Sequence, residues 1–265
     1  MSTTRVVPLQ LRSGVALALA SAVGLLGFLW PFFVEPGAAL DSSHSGDAPY
    51  LFVAILPLLA AIVLAELTAG GLDAKAVAML GMLSAVGGAL RALGPGMAGI
   101  EPSFALVILG GRVFGRGFGF VLGATTMFTG ALITGGVGPW LPFQMMTAAW
   151  VGFLAGSLPR LRGRAEVALL AAYGAVAGLA FGMVMNIWFW PFVSYAPEVS
   201  YVTGAPLVEN LGRYALFYVT TSLLWDAGRA VVTAGALLVA GTALLRALRR
   251  AGRRAAFGVP VAFER

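Results

Sequence analysis

The chain has 265 residues, of which 59% are hydrophobic and 11% charged, and its mean hydropathy is +0.90. A soluble domain usually carries about 25% charged residues, so this composition excludes an ordinary soluble protein and indicates one polytopic membrane domain. The net charge of +6 comes mostly from arginines in short loops and the C-terminal tail, which is typical of membrane orientation rather than of nucleic-acid binding.

Cysteine, lysine and histidine, which carry much enzyme chemistry, are absent or occur once in this chain. The chain has no cysteine, and its only lysine and histidine are Lys75 and His44. Lys75 follows Ala74, which excludes the Gly-Lys-Ser/Thr sequence of a Walker-type phosphate loop, so we do not expect the chain to hydrolyse ATP. A lone histidine also excludes an HExxH zinc site, which needs two. We therefore predict no enzyme activity, no catalytic residue, no metal site and no cofactor.

Eight apolar segments are candidates for membrane helices, since about twenty apolar residues suffice to cross the hydrocarbon. In chain order they are residues 13–34, 50–69, 74–93, 101–114, 117–134, 140–158, 165–191 and 213–247. Lysine and arginine flank alternate ends of these segments. The positive-inside rule then places both termini in the cytoplasm.

Two stretches of this pattern are unusual. Segment 101–114 has only a dozen apolar residues after Glu101 and Pro102, so it either crosses the membrane or is re-entrant. A re-entrant segment would place residues 160–164 and the tail outside, which the positive-inside rule disfavours. Residues 192–212 form the only long irregular stretch, on the outer side, and we interpret them as a lid.

Asp226 and Arg229 lie in the longest apolar run, where each charge costs about 2.5–3.5 kcal/mol at mid-membrane. Counting along the helices at about 1.5 Å per residue from the cytoplasmic arginines places the pair near the outer face. The same count brings polar and aromatic side chains of at least five segments to this depth, and apolar walls with a few polar groups are typical of a ligand pocket. The predicted substrate contacts are Arg91, Glu101, Trp140, Gln144, Asn186, Trp188, Trp225, Asp226 and Arg229.

Each of these residues also has a purely structural interpretation. Tryptophans are enriched at membrane interfaces whatever the protein does, and Arg91 can snorkel to the outer headgroups. Asp226 and Arg229 are three residues apart and can neutralise each other, while Asn186 and Gln144 can join helices by hydrogen bonds. Only the shared depth of the set favours a pocket.

Three motifs resemble one family of membrane proteins. Residues 110–120 (GGRVFGRGFGF), 134–146 (TGGVGPWLPFQMM) and 185–191 (MNIWFWP) are similar to the substrate-binding S components of energy-coupling factor (ECF) vitamin transporters. The resemblance implies an all-α polytopic fold. Its parts would be an extra N-terminal helical hairpin at 1–73, a six-helix substrate-binding membrane core at 74–250 and a basic cytoplasmic tail at 251–265.

The resemblance also implies a function. An S component of the bacterial cytoplasmic membrane captures a vitamin or vitamin precursor and docks on a transmembrane coupling (T) subunit driven by two ATP-binding cassette ATPases. The docking residues would be Ala74 and Ala78, whose small side chains permit close helix contact, and loops 94–100 and 135–139 would cover the pocket. A cobalamin-related cargo is our first hypothesis, and a carboxylated, flavin-like or pterin-like cargo suits an arginine beside aromatic rings equally.

Two other classes of protein compete with this interpretation. A stand-alone, ion-coupled secondary transporter would relay protons or ions through Glu66, Asp226 and Arg229, but the sequence shows none of the inverted repeats typical of that class. A membrane enzyme would use Asp226 and Glu101 in general acid–base catalysis, but no second intramembrane aspartate lies at a matching depth.

Overall fold

The computed structural model describes residues 11–29, 74–94, 99–138, 140–192 and 195–255. Within these ranges the protein is all α-helical and contains no strand, which confirms the all-α part of the predicted fold class. The helices are α1 (Leu11–Leu29), α2 (Ala74–Ala92), α3 (Ser103–Phe114), α4 (Arg116–Thr134), α5 (Leu141–Ser157), α6 (Gly163–Phe189), a 3-10 turn (Trp190–Phe192), α7 (Leu207–Thr221) and α8 (Leu223–Ala255).

Four of the described helices, α2, α4, α6 and α8, are long and apolar enough to cross a membrane. The apolar stretch Leu17–Leu29 of α1 and the apolar helix α3 are shorter. The second predicted segment, residues 50–69, lies outside the described residues, so α1 is the part of the predicted N-terminal hairpin that the structure describes.

Helix α1 lies against α5 and α6. The Trp150 indole nitrogen on α5 donates a hydrogen bond to the Ser21 hydroxyl at 2.9 Å, and the Phe28 ring meets the Phe143 ring edge-on at 5.0 Å. Phe28 is fully buried. The first helix is therefore joined to the core by an aromatic contact and one polar link.

Helix α3 is short, but charged side chains at its two ends are linked by ion pairs to opposite ends of α8. Its twelve residues span about 18 Å, against a hydrocarbon thickness of about 30 Å. Just before its start, Glu101 pairs with Arg229 of α8, and near its end Arg112 pairs with Glu166, which also holds Arg249 of α8. Arg229 and Arg249 are twenty residues apart, about 30 Å along α8. A re-entrant segment would return to its starting end, so this geometry favours a crossing.

Glycines let α3, α4 and α5 touch backbone to backbone. A Cβ atom added to Gly152 of α5 would lie 2.0 Å from the Gly119 carbonyl oxygen of α4, and one added to Gly111 of α3 would lie 2.1 Å from the Gly152 carbonyl oxygen. Gly115, with φ +108°, makes the one-residue link between α3 and α4. The glycine-rich motif at 110–120 is therefore a packing element.

The last predicted segment, residues 213–247, is two helices in the structure. Helix α7 begins at Leu207 and ends at Thr221, and Ser222 separates it from α8. The predicted irregular stretch 192–212 is correspondingly shorter. Its remaining part is fixed to the neighbouring helices by hydrogen bonds. The Asn210 side chain accepts from the Val202 N–H at 3.1 Å and donates to the Val202 carbonyl at 2.8 Å. The Trp190 indole donates to the Val199 carbonyl at 2.6 Å.

The glycine contact between α4 and α5 yields a stability prediction. Gly152→Ala should lower the midpoint of thermal unfolding in detergent, because the added methyl overlaps the Gly119 carbonyl; overpacking of this kind costs about 1–3 kcal/mol. Gly235→Ala is the matched control, since a Cβ there meets nothing within 4 Å and alanine is the better helix former. Equal midpoints for the two variants would contradict the packing interpretation.

Candidate ligand-binding site

A partly open cleft of about 280 Å³ lies at the end of the bundle opposite the C-terminal arginines of α8. Its wall comes from the end of α2, the following loop, α4, α5, α6 and the start of α8. The lining residues are Arg91, Gly94, Gly99, Ile100, Glu101, Thr134, Gln144, Phe181, Trp225 and Arg229.

The Glu101 carboxylate lies between two arginines in this wall. Its Oε1 is 3.5 Å from Arg91 Nε, and its Oε2 is 3.4 Å from Arg229 Nε. These distances are longer than good charge-assisted hydrogen bonds, and within the described structure Glu101 Oε1 and Arg229 Nε have no hydrogen-bond partner. The Glu101 carboxylate thus bridges the two guanidinium groups only loosely.

Arg91 is held by α4 and α5 as well. Its Nη2 donates to Gln144 Oε1 at 2.8 Å, and its Nη1 lies 3.5 Å from the Met127 carbonyl oxygen. Gly130 makes room for the arginine stem, because a Cβ there would lie 2.6 Å from Arg91 Cδ. The side chain therefore points across the bundle and not toward headgroups.

Arg229 is fixed by α6 and by its own helix. Its Nη1 donates to Asp226 Oδ1 at 2.5 Å and to the Gly178 carbonyl at 3.3 Å, and its Cζ lies 5.1 Å from the Phe181 ring centroid. Both members of the Asp226–Arg229 pair are buried. A buried charge needs such compensation, because removing it from water costs several kcal/mol.

Close approach of α6 and α8 makes this arrangement possible. Gly174, Gly178 and Gly182 are spaced by four residues along α6 and face α8. A Cβ at Gly178 would lie 2.9 Å from Ala230 Cα, and one at Gly182 would lie within 2.0 Å of both Asp226 carboxylate oxygens. The glycine face is therefore the notch that accommodates the aspartate.

Gly99, in the loop between α2 and α3, packs closely against the start of α8. Gly99 has φ +73°, and a Cβ there would lie 2.1 Å from the Trp225 carbonyl oxygen. A side chain at this position would be strained as well as blocked. The loop forms one wall of the cleft through Gly99 and Ile100.

Five of the nine predicted contacts line the cleft: Arg91, Glu101, Gln144, Trp225 and Arg229. The other four lie outside its wall. Asp226 is buried behind Arg229, and Trp188 packs on the Phe143 ring at 5.1 Å. Trp140 is 41% exposed and donates to the Gly136 carbonyl at 3.1 Å.

Asn186, the remaining predicted contact, lies on α6 near Asp226 of α8, away from the cleft wall. It lies one turn beyond Gly182 on α6, and its Nδ2 is buried without a hydrogen-bond partner in the described structure. Asp226 Oδ2 is likewise buried without a hydrogen-bond partner among the described residues. The Tyr218 hydroxyl of α7 lies near the Asp226 carboxylate without reaching hydrogen-bond geometry.

Sequence reasoning missed several residues of this region. Phe181 and Thr134 line the cleft but carry no charge. Tyr218 belongs to α7, which hydropathy did not separate from α8 because one continuous apolar run contains parts of both helices. The four-residue glycine spacing on α6 was the available signal for Phe181, since Phe181 directly precedes Gly182. For Tyr218 the sequence offered no signal, because neither proline nor glycine marks the break at Ser222.

Comparison with known families gives one result. The sequence model of the ECF transporter substrate-specific component matches residues 75–239, from the start of α2 into α8. The matched range contains every residue that lines the cleft and leaves out α1. No curated protein and no solved structure matches the chain.

The notch at Gly182 yields a prediction that needs no ligand. Gly182→Ala should displace the Asp226 carboxylate and lower the thermal unfolding midpoint, at a cost of about 1–3 kcal/mol. Gly212→Ala on α7, where a Cβ meets nothing within 4 Å, is the control. If the clash is with Asp226, the double variant Gly182→Ala/Asp226→Ala should lose less than the sum of its single changes; strict additivity would show that the two residues are independent.

Proposed function

The chain belongs to the family of ECF transporter substrate-specific components, and on this premise we propose that it captures a small, carboxylate-bearing vitamin or vitamin precursor in the cleft at Arg91, Glu101 and Arg229. Members of this family are substrate-binding components of transporters, which partner with a T subunit and ATPases, and are not enzymes.

The observation that carries the proposal is the loose contact between the charges that line the cleft. Two arginines face the cleft, and the one carboxylate between them lies at 3.4 and 3.5 Å, longer than good charge-assisted hydrogen bonds. Asp226 pairs with Arg229 behind this wall, so the set is neutral overall. An anionic group of a ligand can therefore be bound by the guanidinium edges that Glu101 leaves unsaturated. Trp225 and Phe181 supply flat apolar surface beside these charges, which is the mixture of walls and anchors that ligand pockets use.

The size of the cleft favours the smaller cargo classes. Pockets for drug-sized ligands measure about 300–1,000 Å³, and this cleft measures about 280 Å³. A corrinoid is much larger than that, so the cobalamin-related hypothesis would require the cleft to widen. A carboxylated cargo needs no such opening, and we therefore place it first.

Charge distribution supports a membrane orientation. In the described residues the end that holds the cleft carries Arg91, Arg213 and Arg229 together with the acidic Glu101, Asp226 and Glu209, whereas the opposite end carries many more arginines. By the positive-inside rule we propose a bacterial cytoplasmic membrane location, with both termini cytoplasmic and the cleft facing outward.

The predicted docking face lies along α2. Ala74 begins this helix, and Ala78, Gly81, Ala85 and Ala89 are exposed on it. A Cβ at Gly81 would meet nothing within 4 Å. A low ridge of small side chains permits close contact with another helix, and we propose that the T subunit docks here.

The secondary-transporter alternative has less support. Glu66 lies outside the described residues, and Asp226 is held by Arg229 at 2.5 Å. Within the described structure Asp226 is therefore already engaged as the ion-pair partner of a buried arginine.

The cargo prediction is tested by ligand binding to the purified full-length chain. Biotin serves as the small carboxylated probe, riboflavin as the uncharged flavin and cobalamin as the corrinoid, and small molecules retained through purification are identified by mass spectrometry. Arg91→Gln and Arg229→Gln should each weaken carboxylate binding about ten- to hundredfold, since a charge-assisted hydrogen bond contributes about 1.5–3 kcal/mol.

Arg213→Gln is the matched control, because Arg213 is an arginine at the same end of the bundle that lies outside the cleft. Unchanged dissociation constants for both cleft variants would remove these residues from the site. Retention of cobalamin or riboflavin in place of a carboxylated molecule would refute the proposed cargo class.

The docking prediction is tested by Ala78→Trp. The indole should hold the T subunit away from α2 and reduce co-purification with the coupling complex at least tenfold, because close helix contact depends on small residues. Val176→Trp, at a 63% exposed position on α6, is the control. Cargo binding should be unchanged in both variants, and a normal yield of complex with Ala78→Trp would contradict the docking face.

A further inference from the structure

The end of the bundle opposite the cleft carries an exposed surface of arginines from two segments. Arg160, Arg162 and Arg164 lie in the linker between α5 and α6 and at the start of α6. Arg246, Arg250, Arg253 and Arg254 lie in the last turns of α8. We call these seven residues the arginine belt. All of them are exposed, and none makes an ion pair within the described residues.

A buried carboxylate brings the two segments of the belt together. Glu166 is 2% exposed, and its Oε1 accepts hydrogen bonds from Arg112 of α3 and Arg249 of α8, both at 2.7 Å. Arg112 also donates to the Leu158 carbonyl, where α5 ends, at 3.0 Å. The α5–α6 linker and the last turns of α8 are thereby neighbours.

The same contact leaves the arginine belt without a compensating acid. Glu166 is the acidic residue nearest to the belt in the described sequence, and its charge is already shared by two other arginines. The N-terminus of α6 adds the positive end of a helix dipole to this surface. The belt is thus a concentrated positive surface at which anions accumulate.

Helix length places the belt at the membrane surface. The apolar span Leu223–Arg254 has 32 residues, about 48 Å, against about 30 Å of hydrocarbon. Arg246 lies seventeen residues beyond Arg229, about 26 Å along α8. If Arg229 lies near one face of the bilayer, Arg246 and the arginines after it lie at the headgroups of the other.

Apolar side chains are exposed among these arginines. Leu161 stands between Arg160 and Arg162 and is 41% exposed, and Leu244 precedes Arg246 by two residues and is 37% exposed. An acidic surface alone would contact the arginines and leave the leucines in water. A lipid offers both an anionic headgroup and an acyl chain, which matches this alternation.

We propose that the arginine belt binds anionic phospholipids, with guanidinium groups on the headgroup phosphate and the exposed leucines on the first part of the acyl chains. Arginine suits this role because its planar donors bind two phosphate oxygens at once. The proposal goes beyond cargo capture and does not depend on it.

Native mass spectrometry of the full-length chain in detergent tests this site. The probes are phosphatidylglycerol and phosphatidylcholine with identical acyl chains, supplied in equal amounts. The wild-type chain should retain several-fold more phosphatidylglycerol, and the preference should decrease with ionic strength. The triple variant Arg160→Gln/Arg162→Gln/Arg164→Gln removes three of the seven belt arginines and should lower the ratio of the two lipids substantially toward one.

Two control variants separate charge, geometry and location. Arg213→Gln removes an arginine at the cleft end and should leave the ratio unchanged. The triple Arg→Lys variant at residues 160, 162 and 164 keeps the charge and should retain part of the preference. Because Arg160, Arg162 and Arg164 make no ion pair within the described part of the chain, both triple variants should unfold at the wild-type midpoint, which is checked by thermal unfolding.

Three results would overturn the proposal. The first is equal retention of both lipids by the wild-type chain, and the second is an undiminished preference in the triple glutamine variant. The third is inorganic phosphate displacing the lipid completely at equal concentration, which would identify a free-anion site. If the triple variant kept its lipid preference but lost co-purification with the ATPases, the belt would be a protein interface.

Discussion

A charge inside an apolar bundle must be compensated at close range, and this protein meets that constraint at both ends of its longest described helix. Near the start of α8, Arg229 is balanced by Asp226 and Glu101. Near its end, Arg249 is balanced by Glu166. Each set also includes an arginine from another helix, Arg91 or Arg112. The tertiary arrangement is therefore determined by electrostatic contacts as well as by apolar packing.

Glycine is the residue that makes these charge contacts geometrically possible. Gly178 lets the backbone of α6 approach Ala230 of α8, and Gly182 leaves space for the Asp226 carboxylate between the two helices. Gly130 provides space for the stem of Arg91. In hydrocarbon there is no hydrophobic force between helices, so close packing and hydrogen bonds must hold them together. Small residues therefore contribute to stability and to the shape of the cleft at the same time.

The sequence allowed the depth of the polar groups to be predicted, but not their direction around each helix. Counting residues brought Arg91, Gln144 and Arg229 to one level, and all three line the cleft. Trp140 and Trp188 share that level and point elsewhere, because depth along a helix leaves rotation about its axis undetermined. Rotation is set by contacts such as the Gly182 notch, which depend on two helices at once.

Local signals also explain what was missed in the fold. The break at Ser222 interrupts an apolar run without proline or glycine, so hydropathy alone joined α7 to α8. In the sequence Glu166 follows Arg160, Arg162 and Arg164 closely, which is typical of an exposed, charged segment. In the structure it is buried, because Arg112 and Arg249, both distant in sequence, pair with it. Pairings of this kind become visible only in three dimensions.

The shortness of α3 has a consequence for the position of the cleft residues that precede it. Ile100 and Glu101 line the cleft, and α3 begins two residues after Glu101, at Ser103. With twelve residues, α3 is shorter than α4, α5 and α6, against which it packs. Each residue added to the beginning of α3 would move Ile100 and Glu101 outward by about 1.5 Å along the helix axis, so the length of this one helix sets where the bridging carboxylate stands between its two arginines.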